Sequence, residues 1–175
     1  MVIVGIDLSL NSTGVCILKD NTLETSRIKP EGKTRRKRLN SIYEQLTMLW
    51  QEVGTDIDLI VLEEPLVTKY INIVTKILAV HGVFAASLGA LDMSTPILTV
   101  HPTTLKKFVT GNGKATKDDI KAVIEDITSF YMYHDESDAT ALAIIGKVID
   151  VNKLQNDENR LSELTKNTIL QVFYP

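Results

Sequence analysis

Cysteine is almost missing from this chain. One residue, Cys16, among 175 excludes an internal disulfide framework and fits a reducing compartment; set in an apolar strand pattern, it reads as core. Histidine is scarce too, and no His/Cys cluster of the kind that holds zinc is present. Charge of one sign is not in excess: the formal net charge of -3 gives no global signature of nucleic-acid binding, which would have to come from local patches. No apolar run reaches the ~20 residues of a bilayer span; the most apolar segment, Ile77 to Leu91, is shorter and contains His81. The N-terminus lacks the basic and apolar regions of a signal peptide. No internal repeat, low-complexity segment or domain linker is evident. The expectation is a cytoplasmic protein with no membrane partner. Its 44% hydrophobic and 23% charged content suits one globular domain, which at this length buries roughly 70% of its unfolded surface.

What is present begins with Ile3-Val4-Gly5-Ile6-Asp7-Leu8-Ser9, an apolar run with one carboxylate near its end. A polar turn, Asn11-Ser12-Thr13-Gly14, returns the chain through Val15-Cys16-Ile17-Leu18. Strands are expected over Val2 to Leu8, Gly14 to Leu18 and Leu23 to Ile28, stopped by Pro30-Glu31-Gly32. Leu39, Ile42, Tyr43, Leu46, Leu49, Trp50 and Val53 then line one helix face, ended by Gly54. Asp58 to Glu64 is a nearly continuous apolar run closed by Pro65, as suits a central strand parallel to the first. The stretch from Val74 to Ala90 is helical and apolar nearly all round, which predicts burial on both faces, by its own sheet and a partner chain. Pro96 to Val100 is the last strand signal. Helices follow from Thr103 to Val109, from Thr116, and from Asp135 through Ile149. This order of strands and helices predicts an α/β fold: a mixed five-stranded sheet with helices on both faces. Residues 1–150 form the expected domain. Val151 to Pro175 reads as a tail of unknown role, with a weak helix around Leu161 to Thr168.

Four acids stand out. Asp7 ends the first strand, and Glu63 or Glu64 ends the central parallel strand at the same sheet edge. Asp135 and Asp138 share one face of a helix start. If that start meets the same edge, the four converge. Oxygen ligands of this kind favour Mg²⁺ or Mn²⁺, and two ions ~3.5 to 4 Å apart can drive phosphodiester hydrolysis. Plainer roles compete. Asp135 and Asp138 can cap free amides, Glu63-Glu64 can be a solvated strand end, and Asp7 can organise the turn with Ser9, Asn11 and Ser12. His134 reads as an exposed helix-start residue.

These motifs carry a family resemblance. Gly5-Ile6-Asp7 with Asn11-Ser12-Thr13-Gly14, Val61-Leu62-Glu63-Glu64, and Asp135-Glu136-Ser137-Asp138-Ala139-Thr140-Ala141-Leu142-Ala143 resemble, in order and spacing, the three acidic motifs of RuvC-type Holliday-junction resolvases. The resemblance spans residues 1 to 150. It implies a ribonuclease H-like fold, metal ligands Asp7, Glu63, Asp135 and Asp138, two Mg²⁺ ions (or Mn²⁺) per site, and a homodimer that nicks four-way DNA junctions. It also implies a bacterial or phage-infected host cytoplasm, and it selects Glu63 over Glu64.

Basic residues supply the expected DNA contacts. Lys33, Arg35, Arg36, Lys37 and Arg38 form the densest run, and positive charge at a helix start opposes the helix dipole, so backbone phosphate is a natural partner. Lys106, Lys107, Lys114 and Lys117 flank a Gly-Asn-Gly loop. By the resemblance Lys106 and Lys117 stand near the scissile phosphate, where an ammonium offsets developing charge; all four also read as plain surface lysines. The family's junction-inserting aromatic is missing after the second motif, where Pro65-Leu66 stands, and Tyr70 is the residue expected to take over stacking. The expected function is therefore a metal-dependent, structure-selective endonuclease. The alternatives are a protein that binds branched DNA without cutting it, and a phosphotransferase, since Gly5-Ile6-Asp7-Leu8-Ser9 also resembles the first phosphate loop of actin-like sugar kinases.

Overall fold

The computed structural model describes residues 1–149; the expectations for 151–175 lie outside the described residues. Three strands, β1 (Val2–Asp7), β2 (Thr13–Lys19) and β3 (Thr22–Ile28), form an antiparallel meander. Helix α1 (Arg35–Val53) crosses over to β4 (Leu59–Glu63), parallel to β1, and α2 (Ile71–Gly89) crosses to β5 (Ile97–Val100), parallel to β4. Helices α3 (Pro102–Thr110), α4 (Lys117–Thr128) and α5 (His134–Val148) follow. The sheet order is β3-β2-β1-β4-β5, the mixed five-stranded sheet expected.

Strand alternation sorts the core into two layers. Ile3, Cys16, Leu18, Leu59 and Val61 face α5, with α3 and α4 packed outside it. Val4, Ile6, Val15, Ile60 and Leu62 face the opposite way, under α1 and α2. In that second layer the Trp50 indole donates to Ser87 Oγ at 2.9 Å, satisfying the one polar atom of a buried ring. The α1 boundaries are local chemistry. Thr34 Oγ1 accepts from Lys37 N at the start, and Gly54, at a φ of 85°, ends the helix.

The helix buried all round is α5: every residue from Ser137 to Gly146 is buried. Its polar Ser137 and Thr140 hide this in the sequence, but both hydroxyls donate to carbonyls of the preceding turn, His134 O and Glu136 O, each at 2.8 Å. By contrast α2 is buried on one side only, through Val74, Val80, Phe84, Ser87 and Leu88. Its other side leaves Ile71, Leu78, Gly82, Ala85, Ala86 and Gly89 exposed. This helix is long and apolar enough to cross a membrane by length and composition alone, yet its buried stripe is seated against α1.

Glycine fixes the depth of α5. A Cβ on Gly5 of β1 would stand 2.1 Å from the Ala139 carbonyl oxygen, and one on Gly14 of β2 only 1.9 Å from that of Asp135. Both positions need a bare backbone because another backbone lies against them. The first turn of α5 is thereby pressed onto the sheet edge where β1 ends.

Candidate metal-dependent active site

Asp7 is the last residue of β1 and Glu63 the last of β4. Since these strands are parallel neighbours in register from Ile3↔Leu59 to Ile6↔Leu62, both acids leave the sheet at one edge. Alternation puts Glu63 on the face of Leu59 and Val61, beneath α5, which is also the face of Asp7. Glu64 points the other way and is exposed. Of the two glutamates, the pleat thus sets Glu63 on the same face as Asp7. Asp135 and Asp138 arrive from the first turn of α5.

The plainer roles are shared with other residues. Glu136 Oε2 accepts from Tyr133 N at 2.8 Å and closes the start of α5. Thr13 organises the β1–β2 turn, accepting from Ser9 N and donating to Ser9 O, both at 3.0 Å. Ser12 Oγ donates to Asp135 Oδ2, so the turn also orients an acid of the third motif in α5. Asp135 Oδ1 accepts from Glu136 N at 3.2 Å. His134 is exposed, as expected, and pairs with Asp118 Oδ1 at 2.7 Å.

Lys117, the first residue of α4, reaches into the cluster. Its Nζ lies 2.6 Å from Asp138 Oδ2 and 3.6 Å from Asp7 Oδ2. Burial pushes the Asp7 carboxyl up to about 6, with Lys117 opposing and Asp138 adding to the rise. Burial, then Asp7 and Asp138, push Glu63 up to about 7, with Lys117 and Lys106 opposing. Asp138 is also raised by burial, against Lys117. Burial alone would lower the Lys117 ammonium, but Asp7 and Asp138 outweigh it and hold it raised. One lysine therefore stands against several crowded acids.

A divalent cation fits this donor set. Asp138 Oδ1 is buried and has no hydrogen-bond partner, the sole such side-chain atom among the described residues; an orphaned carboxylate oxygen is costly unless something positive meets it. Among the described residues no three acid, histidine or cysteine side chains already enclose one ion position. The acids stand around the Lys117 ammonium instead. An open cleft of about 360 Å³, with Asp7, Ser12, Lys117 and Asp135 in its wall, leads to them.

Cation uptake should therefore be pH-dependent. Asp7 and Glu63 hold their protons up to about 6 and 7, and a ligating carboxylate must first lose its proton. The apparent Mg²⁺ affinity, measured by calorimetry, should climb from pH 5.5 to 7.5 and level off above, by up to about tenfold per pH unit for each proton displaced. A flat profile across that range would contradict the assignment.

The remaining expected residues lie outside the cleft wall. Lys106, in α3, acts electrostatically on Glu63. Lys107 and Lys114 are exposed beside it. Lys33, Arg35, Arg36 and Lys37 are exposed at the start of α1. Arg38 instead donates to Asn11 Oδ1 at 2.6 Å and to Gly32 O at 3.1 Å, tying α1 to the β1–β2 turn. Tyr70, the N-cap of α2, is exposed with Lys69 Nζ 5.3 Å from its ring centre. Sequence reasoning missed the glycines beneath α5 and the reach of Lys117 to Asp138 from 21 residues away. The strand-interior position of Gly5 was the available signal for the first.

The profile of the family described as crossover junction endodeoxyribonuclease RuvC matches residues 3–146. A protein of that name from Ehrlichia ruminantium (strain Gardel) is 34% identical over 155 residues, 82% of this chain and 94% of that protein. Another from Rhodopirellula baltica is 29% identical over 164 residues, 87% and 89% of the two chains. Among solved structures, Thermus thermophilus RuvC in complex with a Holliday junction substrate superposes with a TM-score of 0.67 at 17% identity, covering 82% of this chain and 90% of that one. The yeast mitochondrial resolvase Ydc2 gives 0.54 at 14% identity, covering 81% and 75%. These two share the ribonuclease H-like fold. With its family profile matched over nearly all the described residues, and its acidic motifs gathered at one sheet edge, this chain belongs to the RuvC family of crossover junction endodeoxyribonucleases.

Proposed function

We propose that this protein is a metal-dependent, structure-selective DNA endonuclease that resolves four-way junctions by nicking them. The observation that carries the reading is that Asp7 and Glu63 end neighbouring parallel strands at the sheet edge met by the start of α5, which bears Asp135 and Asp138, and that Asp138 Oδ1 is buried there without a hydrogen-bond partner. These four residues are the ligands in this reading, for two Mg²⁺ ions, with Mn²⁺ able to substitute. A bound divalent pair supplies an activated water and neutralises charge on the departing oxygen. Lys117 lends its ammonium to Asp7 and Asp138, and from that position it would offset charge on the scissile phosphate. Lys106, on the Glu63 side, offsets charge that develops on the phosphate. The exposed Lys33, Arg35, Arg36 and Lys37 bind backbone phosphates farther out, with Lys107 and Lys114 on the other flank. Arg38 acts through the turn it holds, and Tyr70 stacks at the junction. All four acids are present at the sheet edge, which favours cutting over binding alone. The site belongs to residues 1–150.

The test uses a labelled four-way junction with Mg²⁺ or Mn²⁺. Paired, symmetric nicks bearing 5′-phosphate and 3′-hydroxyl ends are expected, with weaker cleavage of three-way and flap substrates. No cleavage under either metal would end the reading, and ATP turnover in its place would favour phosphotransfer.

Symmetric nicking needs two sites, and we assign the second to a partner copy seated on α2. The exposed Gly82, Ala85, Ala86 and Gly89, flanked by Ile71 and Leu78, form a face on which another helix can approach closely. Light scattering at micromolar concentration should give twice the 19.5 kDa chain mass. Ala85→Glu, at an exposed position, should return a folded monomer. A parent monomer would refute the assignment.

A further inference from the structure

Beside the carboxylate cluster lies a second built feature that the acidic motifs do not include. The sheet register sets Asp7 opposite Gly14 and Gly14 opposite Arg27, so the three lie in a row across β1, β2 and β3. Residues directly opposite share a face, which puts Arg27 on the α5 side of the sheet, about 10 Å from Asp7 backbone to backbone, or two strand spacings. Between them Gly14 is covered by the Asp135 backbone at the start of α5. Arg27 and Tyr133 both line the cleft that holds Asp7 and Asp135.

The Arg27 guanidinium carbon sits 3.3 Å from the centre of the Tyr133 ring. Tyr133 is the residue just before α5, so the ring is carried by the same helix start that delivers Asp135 and Asp138. A neighbouring pair on this loop behaves differently: Lys121 lies 4.3 Å from the Tyr131 ring centre but has Glu125 at 3.6 Å as its acid. The Arg27 side chain makes no ion pair or hydrogen bond among the described residues. A guanidinium held flat on an aromatic ring keeps its edge N–H groups free, and that planar fork matches the oxygens of a phosphate. Stacking fixes the side chain beforehand, so less rotamer freedom is lost when an anion arrives.

We propose that Arg27, held on Tyr133, is a phosphate clamp that grips the cleaved strand at a backbone phosphate next to the one lying at the acids. The proposal rests on the endonuclease reading and names a contact within that site. Its role is binding and alignment: Arg27 sets where the strand crosses the cleft and so which bond meets the acids.

The test is equilibrium binding of a fluorescent four-way junction in EDTA over a KCl series. The variants are Arg27→Gln, Arg27→Lys and, as a control at the far end of the sheet, Lys19→Gln. Each neutralised phosphate contributes about 0.9 to the slope of log affinity against log salt. Arg27→Gln is expected to flatten that slope by about 1 and to weaken binding about tenfold at low salt. Lys19→Gln should keep the parent slope. Arg27→Lys retains the charge but not the fork, so it should keep the slope and bind more weakly than the parent. A parental slope for Arg27→Gln overturns the clamp; if that variant does not fold, parental affinity for Arg27→Lys overturns it. Failure of the parent to bind or nick the junction would end the broader reading instead, so the two failures are distinguishable.

Discussion

Replacing Asp7 by asparagine is expected to lower junction nicking by ~10³-fold or more, the scale of losing a group on which the transition state depends. Binding of the junction in EDTA should persist. The variant keeps the size of the side chain but removes the charge that a cation needs, so the loss falls on catalysis. The metal-free protein should respond in the opposite sense. The Asp7 carboxyl is raised by burial from 3.8 to about 6, so the folded form holds this proton more tightly than the unfolded chain. The contribution of Asp7 to stability therefore falls as pH rises from about 4 to about 6 and stays at its lower level above. At pH 8 Asp7→Asn should melt a few degrees higher than the parent, corresponding to something on the order of 2 kcal/mol. Lys117 retains Asp138 as its partner at 2.6 Å, so the substitution does not strand the lysine. Unchanged nicking, or a lower melting temperature at pH 8 together with lost junction binding, would show that Asp7 serves the fold instead of the chemistry.

Gly5→Ala and Gly14→Ala should be the most damaging small substitutions in the protein. At Gly5 the added methyl would meet backbone on two sides, Ala139 O at 2.1 Å and Ala143 N at 2.5 Å. No side-chain rotation relieves either contact, so α5 must lift from the sheet, at a cost of about 3 kcal/mol or more. At Gly14 the collision is with Asp135 O at 1.9 Å and Asp135 C at 2.3 Å. There the strain falls on the turn that presents the acids. Gly5→Ala should chiefly lower the melting temperature, whereas Gly14→Ala should lose metal affinity and nicking more than stability. Thermal melts and Mg²⁺ calorimetry on both variants would check this; parental values in both assays would mean that α5 does not need its close seat.

The strands were legible because apolar alternation and its stops are local signals: Val2 to Asp7, Leu59 to Glu63 and the Asn11 to Gly14 turn all appear where the pattern places them. The acids were legible as a set because three motifs fall in order. The all-round burial of α5 was not. Apolar side chains line both sides of α2, although one side faces outward here, while Ser137, Thr140 and Gly146 make α5 look half solvated. Hydroxyls that donate to their own helix carbonyls cost little to bury, a property composition does not reveal. Lys117 near Asp138, and Arg27 on Tyr133, are through-space neighbours that depend on sheet register and on the angle of α4, neither of which a single chain spells out.

The seat of α5 has a consequence for how the enzyme is made. Asp7 leaves the ribosome early, yet the cluster needs Asp135 and Asp138, which come more than a hundred residues later and must be inserted between the sheet and α3 and α4. Contacts so far apart in sequence form late, and the N-terminal strands of a growing chain are available to fold first. A nascent or prematurely terminated chain therefore carries Asp7 and Glu63 without their companions, and under the proposed assignment it should not cut DNA. Docking α5 completes the hydrophobic core and the proposed acid cluster in one step, so that nuclease activity is expected only of the fully assembled domain.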